Sequence, residues 1–261
     1  MNKFLYNNKT FKIFILISLL FLVVLISISS MINLYDKRHL ILKFFKNQED
    51  PNYSYGLTTS DIYWANEILK GGYILHFRHA ERDKWIDVQM YDSLESDVHD
   101  NGINESRYAE NTYFEKSVCL NERGKVQAKA IGEHLKNIDF QIGYIVSSPS
   151  CRARQTAELA FGGYDSLDRI LVHAGPYNET YEKRVSLLKE FYLSLPLKSN
   201  ENTIVSAHNS VIECGMFINK CSSKLSLEEG GFYIISKREN GLYLEHEFHY
   251  FKTFIQNFYK R

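Results

Sequence analysis

The 261 residues hold 31 basic and 31 acidic side chains and are 44% hydrophobic and 14% aromatic, which is enough apolar material for one substantial core and far from a disordered composition. Zero net charge excludes a general nucleic-acid binder, which needs a basic excess against phosphates. No nucleic-acid partner is expected.

In chain order, the N-terminus is compositionally distinct. "IFILISLLFLVVLISISSMI", Ile13 to Ile32, carries no charge and as a helix would span about 30 Å, the thickness of a bilayer core. Lys3, Lys9 and Lys12 before it, with Ser27 and Ser29 as a small-x-small site, also fit a cleaved signal peptide. The apolar run exceeds the usual core of such a peptide, so residues 1–34 are expected to be a single-pass membrane anchor. Lys37 and Arg38 follow closely and blur the orientation. The expectation is a cytoplasmic N-terminus, with the main domain on the extracytoplasmic side.

Residues 35–55 read as a polar juxtamembrane linker, and residues 56–261 as the main domain. Its first helix is "TSDIYWANEILKGG", with Thr59 or Ser60 to cap the start and Gly71 to stop it. "YILHF" is a nearly continuous apolar run and reads as a buried strand. Trp85 to Lys116 is acidic and without a clean period, a length that marks a functional insert or a disordered segment. "CLNERGKVQAKAIGEHLKN" has helical spacing through Val126, Ala130, Ile131 and Leu135. Then come a strand "IGYIVSS", a helix "PSCRARQTAELAF", a strand "RILVH", a helix "YEKRVSLLKEFYLSL", a strand "NTIVSAH" and a helix "SVIECGMFI". "GFYIISK" and "LYLEHEFHY", joined by "RENG", read as a hairpin completing or edging the sheet. The alternation predicts an α/β fold with a mostly parallel central sheet flanked by helices on both faces.

Four cysteines, Cys119, Cys151, Cys214 and Cys221, lack a C-x-x-C pattern and match neither a zinc site nor a small disulfide framework. Cys214 and Cys221 would pair in an exported domain, and reduced, packed cysteines are the alternative. His76/His79 and His246/His249 are both three apart, a spacing that on a strand sends the two rings to opposite faces. No metal is expected.

Ligands of open α/β sheets bind beyond the carboxyl ends of the strands, where helix N-termini also point free N–H groups. The first strand ends in Arg78-His79, the second in "SSPSCRAR" and the "NTIVSA" strand in His208-Asn209. Ser148 reads as the cap of the helix after the second strand, with Pro149 at its first position and Arg152 in its first turn. Two arginines, two histidines and a helix N-terminus suit a dianionic phosphoryl group. Guanidinium forks match its equatorial oxygens and an imidazole nitrogen can attack phosphorus.

"FRHAER", "LNERGKVQAKAIGEHL", "VSSPSCRARQTAELAF" and "IVSAHN" together resemble the histidine phosphatase superfamily, which includes phosphoglycerate mutases and histidine acid phosphatases, over about Tyr73 to Ile218. The resemblance implies a phosphoglycerate mutase-like fold, with His79 as nucleophile and Arg78, Arg152 and His208 as phosphoryl ligands. Ala80 replaces the family's usual glycine. The arginines disfavour a protonated imidazole, so His79 is expected to be neutral if its other nitrogen donates to a backbone carbonyl.

Arg82 matches a second arginine of the acid-phosphatase branch and is a candidate substrate-binding residue, the alternative being a surface pair with Asp83 or Asp87. The family's proton donor falls on Glu179 by preference, with Glu182, Glu81 and Asp83 as alternatives, because Asn209 stands where the acid-phosphatase branch has an acid. The implied function is a metal-free, cofactor-free phosphatase acting on a small phosphorylated substrate or a phosphoprotein. A phosphomutase and a non-catalytic, membrane-tethered binder of phosphorylated ligands are the alternatives.

Overall fold

The computed structural model describes residues 57–83, 119–172, 180–219, 221 and 225–259. The expected anchor, the linker over 35–55, the insert over 85–116 and Glu179 lie outside the described residues. Among the described residues no helix is long and apolar enough to cross a membrane.

Helix α1 (Thr59–Glu67) runs into a 3-10 turn, Ile68–Lys70, that Gly71 ends at φ 83°. A Cβ there would stand 2.3 Å from backbone atoms of Asn200 and Glu201, so the turn needs glycine twice over, for its φ and for the close approach. Strand β1 (Ile74–Arg78) follows, then α2 (Glu122–Asn137), β2 (Ile142–Ser147), α3 (Cys151–Phe161) and a two-residue β3 (Ser166–Leu167). The chain continues through α4 (Tyr181–Ser194), β4 (Asn202–Ala207), β5 (Phe232–Arg238), β6 (Gly241–Phe248) and α5 (Phe251–Ile255).

The sheet order is β3-β2-β4-β1-β5-β6. The first four strands run parallel, whereas β1 meets β5, and β5 meets β6, antiparallel. The expected mostly parallel sheet is therefore mixed: a four-stranded parallel half with the predicted hairpin extending one edge. Alternation along β1 and β4 splits the core in two. Leu75, Phe77 and Ile204 pack with residues of α1, α2 and α5 on one face, while Ile74, Val205 and Ala207 pack with Leu188 and Tyr192 of α4 on the other. Helices thus cover both faces.

Several local expectations change. Val126 is 68% exposed, because the buried stripe of α2 runs through Gly124, Ala128, Ile131 and Leu135. "RILVH" is not a strand: the pairing lies at Ser166–Leu167, and Arg169–Leu171 forms a 3-10 turn after the Asp168 carboxylate accepts the Ile170 N–H. "SVIECGMFI" is not a helix but two 3-10 turns, Asn209–Val211 and Cys214–Met216. Helix α3 starts at Cys151 with Ser150, not Ser148, at its N-cap position. The cysteines form two disulfides, Cys119–Cys151 and Cys214–Cys221. The second pair was expected only for an exported domain, and the first joins cysteines 32 positions apart that no short motif links.

Candidate active site

Parallel β1 and β4 lie side by side at the middle of the sheet and finish level, with Arg78 opposite Ala207. The next residues, His79 and His208, therefore emerge together. The His79 N–H continues the ladder to the Ala207 carbonyl at 3.0 Å. The two imidazoles stand edge to face with centroids 5.3 Å apart. On the other side of β4, the Ser148 N–H extends the β2 ladder to Ser206 O at 2.9 Å and leads into α3. Arg152, fully buried in the first turn of α3, directs its guanidinium to His208. Three strand ends thus bring His79, Arg152 and His208 together, as the sequence predicts.

The hydrogen bonds fix both imidazole tautomers. His79 Nδ1 lies 2.7 Å from the Ala80 carbonyl, which can only accept, so Nδ1 carries the proton and the Nε2 lone pair is available. This is the condition for a neutral nucleophile. Burial pushes the proton affinity of His79 well below the ordinary histidine value, Arg152 lowers it further and Arg78 and Arg82 add to that, against the Ala80 carbonyl, which raises it. For His208, the Arg152 guanidinium donates to Nδ1 at 3.2 Å. The proton of the neutral ring is then on Nε2, which faces Ser148 Oγ at 3.2 Å and Ser150 Oγ at 3.1 Å. Ser148 and Ser150 therefore orient His208, a role the capping argument did not find.

A short relay ties the nucleophile's loop to the arginine helix. The Ala80 N–H donates to Thr156 Oγ1 at 3.0 Å, and the Thr156 hydroxyl donates to the Arg152 carbonyl at 2.8 Å. Arg78 is held from another quarter. Its guanidinium donates to the Leu227 carbonyl and reaches Glu229 at 3.4 Å, both in the segment before β5. Asn209 anchors that segment: its Oδ1 accepts the Leu227 N–H at 2.7 Å and its Nδ2 donates to Ser226 at 3.3 Å. Asn209, which cannot supply a proton, is thus a structural clamp behind Arg78.

Arg82 donates to the Asp83 carbonyl at 2.8 Å, so its tie to Asp83 runs through the main chain, and its charge still acts on His79. Of the candidate acids, Glu81 pairs with Arg123 and accepts from Asn121 at 3.3 Å. Asp83 accepts from the same Asn121 amide at 3.1 Å. Glu182 is exposed at the start of α4.

His246 bonds Asp61 at 2.8 Å, and His249 bonds the Ser226 carbonyl at 2.8 Å. No group of three or more His, Cys, Asp or Glu side chains converges as metal ligands among the described residues. A cavity of about 560 Å³, lined by Lys129, Glu133, Lys136, Ile142 and Phe161 among others, sits at the amino end of β2, opposite the strand ends that carry the histidines.

The family model of the histidine phosphatase superfamily (branch 1) matches residues 77–170, from the end of β1 through the turn after β3. Among solved structures, the protein histidine phosphatase SixA complexed with tungstate is similar at 13% identity, covering 67% of this chain and 95% of that one, with a TM-score of 0.44. Phosphoserine phosphatase from Entamoeba histolytica, in complex with 3-phosphoglyceric acid, is similar at 14% identity, covering 67% of this chain and 95% of that one, with a TM-score of 0.46. No curated protein matches this chain.

Proposed function

We propose that this chain, a member of the histidine phosphatase superfamily by the match over residues 77–170, hydrolyses a phosphomonoester through a phosphohistidine on His79. The observation that carries the reading is the state of His79. Its Nδ1–H is held by the Ala80 carbonyl at 2.7 Å, and burial together with the surrounding arginines keeps the ring neutral, so a nucleophilic Nε2 faces the place where a phosphate dianion would be drawn. In the first step the Nε2 lone pair attacks phosphorus and the P–O bond to the leaving group breaks. A carboxylic acid hands its proton to the departing oxygen. In the second step water attacks the phosphohistidine, its proton returns to the carboxylate, and the P–N bond breaks to restore neutral His79 and release inorganic phosphate.

Arg152 and Arg78 bind the equatorial oxygens and offset the charge that grows on them in the in-line transition state, His208 holds the Arg152 guanidinium in place beside them, and Arg82 adds a further cation at the rim. Glu179 is the proposed donor. Glu81 and Asp83 are already engaged by Arg123 and Asn121, which favours an acid from the segment before α4. Residues 13–32 are proposed to tether the domain on the extracytoplasmic side. The two disulfides support that side, because such bonds persist in oxidising compartments.

The test is hydrolysis of p-nitrophenyl phosphate by the full chain between about pH 4 and 8. Turnover that His79→Ala abolishes is the expected result. Absence of turnover across that range in a folded, phosphate-binding protein would favour a tethered binder of phosphorylated ligands instead.

A further inference from the structure

Beyond the residues that face the phosphoryl site, one buried side chain has a geometry that packing alone does not require. His76, three residues before His79 on β1, is fully buried on the α4 face of the sheet, among Tyr192 and Tyr233. Its neighbours in that core cluster, Ile74, Val205, Leu188 and Ile235, are apolar. An imidazole taken out of water in such surroundings is costly unless both nitrogens are satisfied. Here both are: Nε2 lies 3.0 Å from the His208 carbonyl, and Nδ1 lies 2.6 Å from the Tyr192 hydroxyl. A carbonyl only accepts, so Nε2 carries the proton, Nδ1 is the acceptor and the Tyr192 hydroxyl donates to it. The chain Tyr192 to His76 to His208 has one possible direction. Burial, opposed only by the His208 carbonyl, lowers the proton affinity of His76 to about 4, which keeps this single neutral arrangement through the working range.

The carbonyl it binds belongs to the residue where β4 leaves the ladder. Up to Ala207 the β4 carbonyls serve the sheet, the last through the His79 N–H. At His208 the backbone turns into the 3-10 segment Asn209–Val211, whose own bond back, Val211 N–H to His208 O, is long at 3.4 Å. The shorter bond from His76 therefore sets the orientation of the His208 peptide. That peptide determines where the His208 imidazole meets Arg152 on one side, and where Asn209 meets the Arg78-holding segment on the other.

We infer that His76 is a positioning residue for the phosphoryl site, its Nε2–H holding the His208 carbonyl so that the His208 imidazole and, through Asn209, Arg78 stand ready for a phosphate dianion. The inference rests on the proposed phosphoryl chemistry for its purpose but not for its geometry. It differs from a plain packing role in one respect: the nitrogen at the Nε2 position matters and the one at Nδ1 matters less.

Glutamine and asparagine separate the two, since the glutamine amide nitrogen falls near the Nε2 position of a histidine and the asparagine amide falls near Nδ1. The full chain, as wild type, His76→Gln, His76→Asn and His76→Leu, is compared by calorimetric binding of inorganic phosphate, by p-nitrophenyl phosphate kinetics and by thermal unfolding. His76→Gln is expected within about threefold of wild type in phosphate affinity and in kcat. His76→Asn and His76→Leu are expected to lose on the order of 10–100-fold in both, the penalty of a small misplacement of a binding group. Equal phosphate affinity and equal kcat for the Gln and Asn variants would overturn the inference, as would a His76→Leu protein that loses thermal stability alone. Phosphate binding needs no turnover. A Gln-over-Asn difference in binding without hydrolysis by wild type would thus fault the proposed activity while supporting the positioning role.

Discussion

Replacing His76 by glutamine should change how stability depends on pH, by an amount that follows from the burial of the ring. In the unfolded chain His76 titrates near the ordinary value of about 6.5. In the folded chain burial holds it neutral down to about 4, the His208 carbonyl opposing only in part. Between those values the unfolded state binds more protons, so stability is full above about 6.5 and falls as pH drops towards 4. One such group costs ~1.4 kcal/mol per pH unit in that window, or ~3 kcal/mol by its lower end. Glutamine does not titrate. His79, also held low, contributes a slope of the same sign but is present in both proteins and cancels in the difference. Urea unfolding at steps from pH 7.5 to 4 should show the variant gaining on wild type by ~3 kcal/mol, with the gain confined to pH below about 6.5. Curves that stay parallel within about 0.5 kcal/mol would mean that the ring charges inside the fold, and the directional chain from Tyr192 would be refuted.

Three further outcomes follow from the same contacts. Arg152→Lys keeps the charge but loses the fork that reaches His208 at 3.2 Å, and should lower kcat/KM for p-nitrophenyl phosphate by about 100-fold or more. Cys119→Ser combined with Cys151→Ser opens a 32-residue separation, and chemical unfolding should register a loss on the order of 3–4 kcal/mol. Because Cys151 adjoins Arg152, activity should fall at a temperature where the wild type is still folded. Gly124→Ala would place a Cβ 2.0 Å from the Glu81 carbonyl oxygen. Both partners are backbone, so α2 and the His79–Glu81 loop must part, which should cost about 1–3 kcal/mol in thermal or urea unfolding.

What the sequence reveals of this site is what local chain rules govern. Buried apolar strands that break into Arg78-His79, "SSPSCRAR" and His208 announce the strand ends, and parallel pairing then forces those ends together. The parts that escaped prediction depend on contacts far apart in the chain. Arg78 takes its partners from Leu227 and Glu229, about 150 positions later, and His76 reads as one more member of a buried strand until Tyr192 and the His208 carbonyl are seen against it. "SVIECGMFI" carries enough apolar residues for a helix, yet the Cys214–Cys221 bridge and the Asn209 clamp impose short turns that propensity does not foresee. Val126 misled for a simpler reason: the seam of α2 passes through small residues, Gly124 and Ala128, which let the helix approach closely and leave the larger valine outside.

The central claim is that His79 carries the phosphoryl group during turnover. The direct measurement is to mix the full chain with a ³²P-labelled phosphomonoester, quench in alkali, in which a phosphoramidate survives, and map the labelled peptide. The expected result is label on His79 Nε2 that mild acid releases, and none in His79→Ala. Turnover without label at His79, or turnover that persists in His79→Ala, would contradict it.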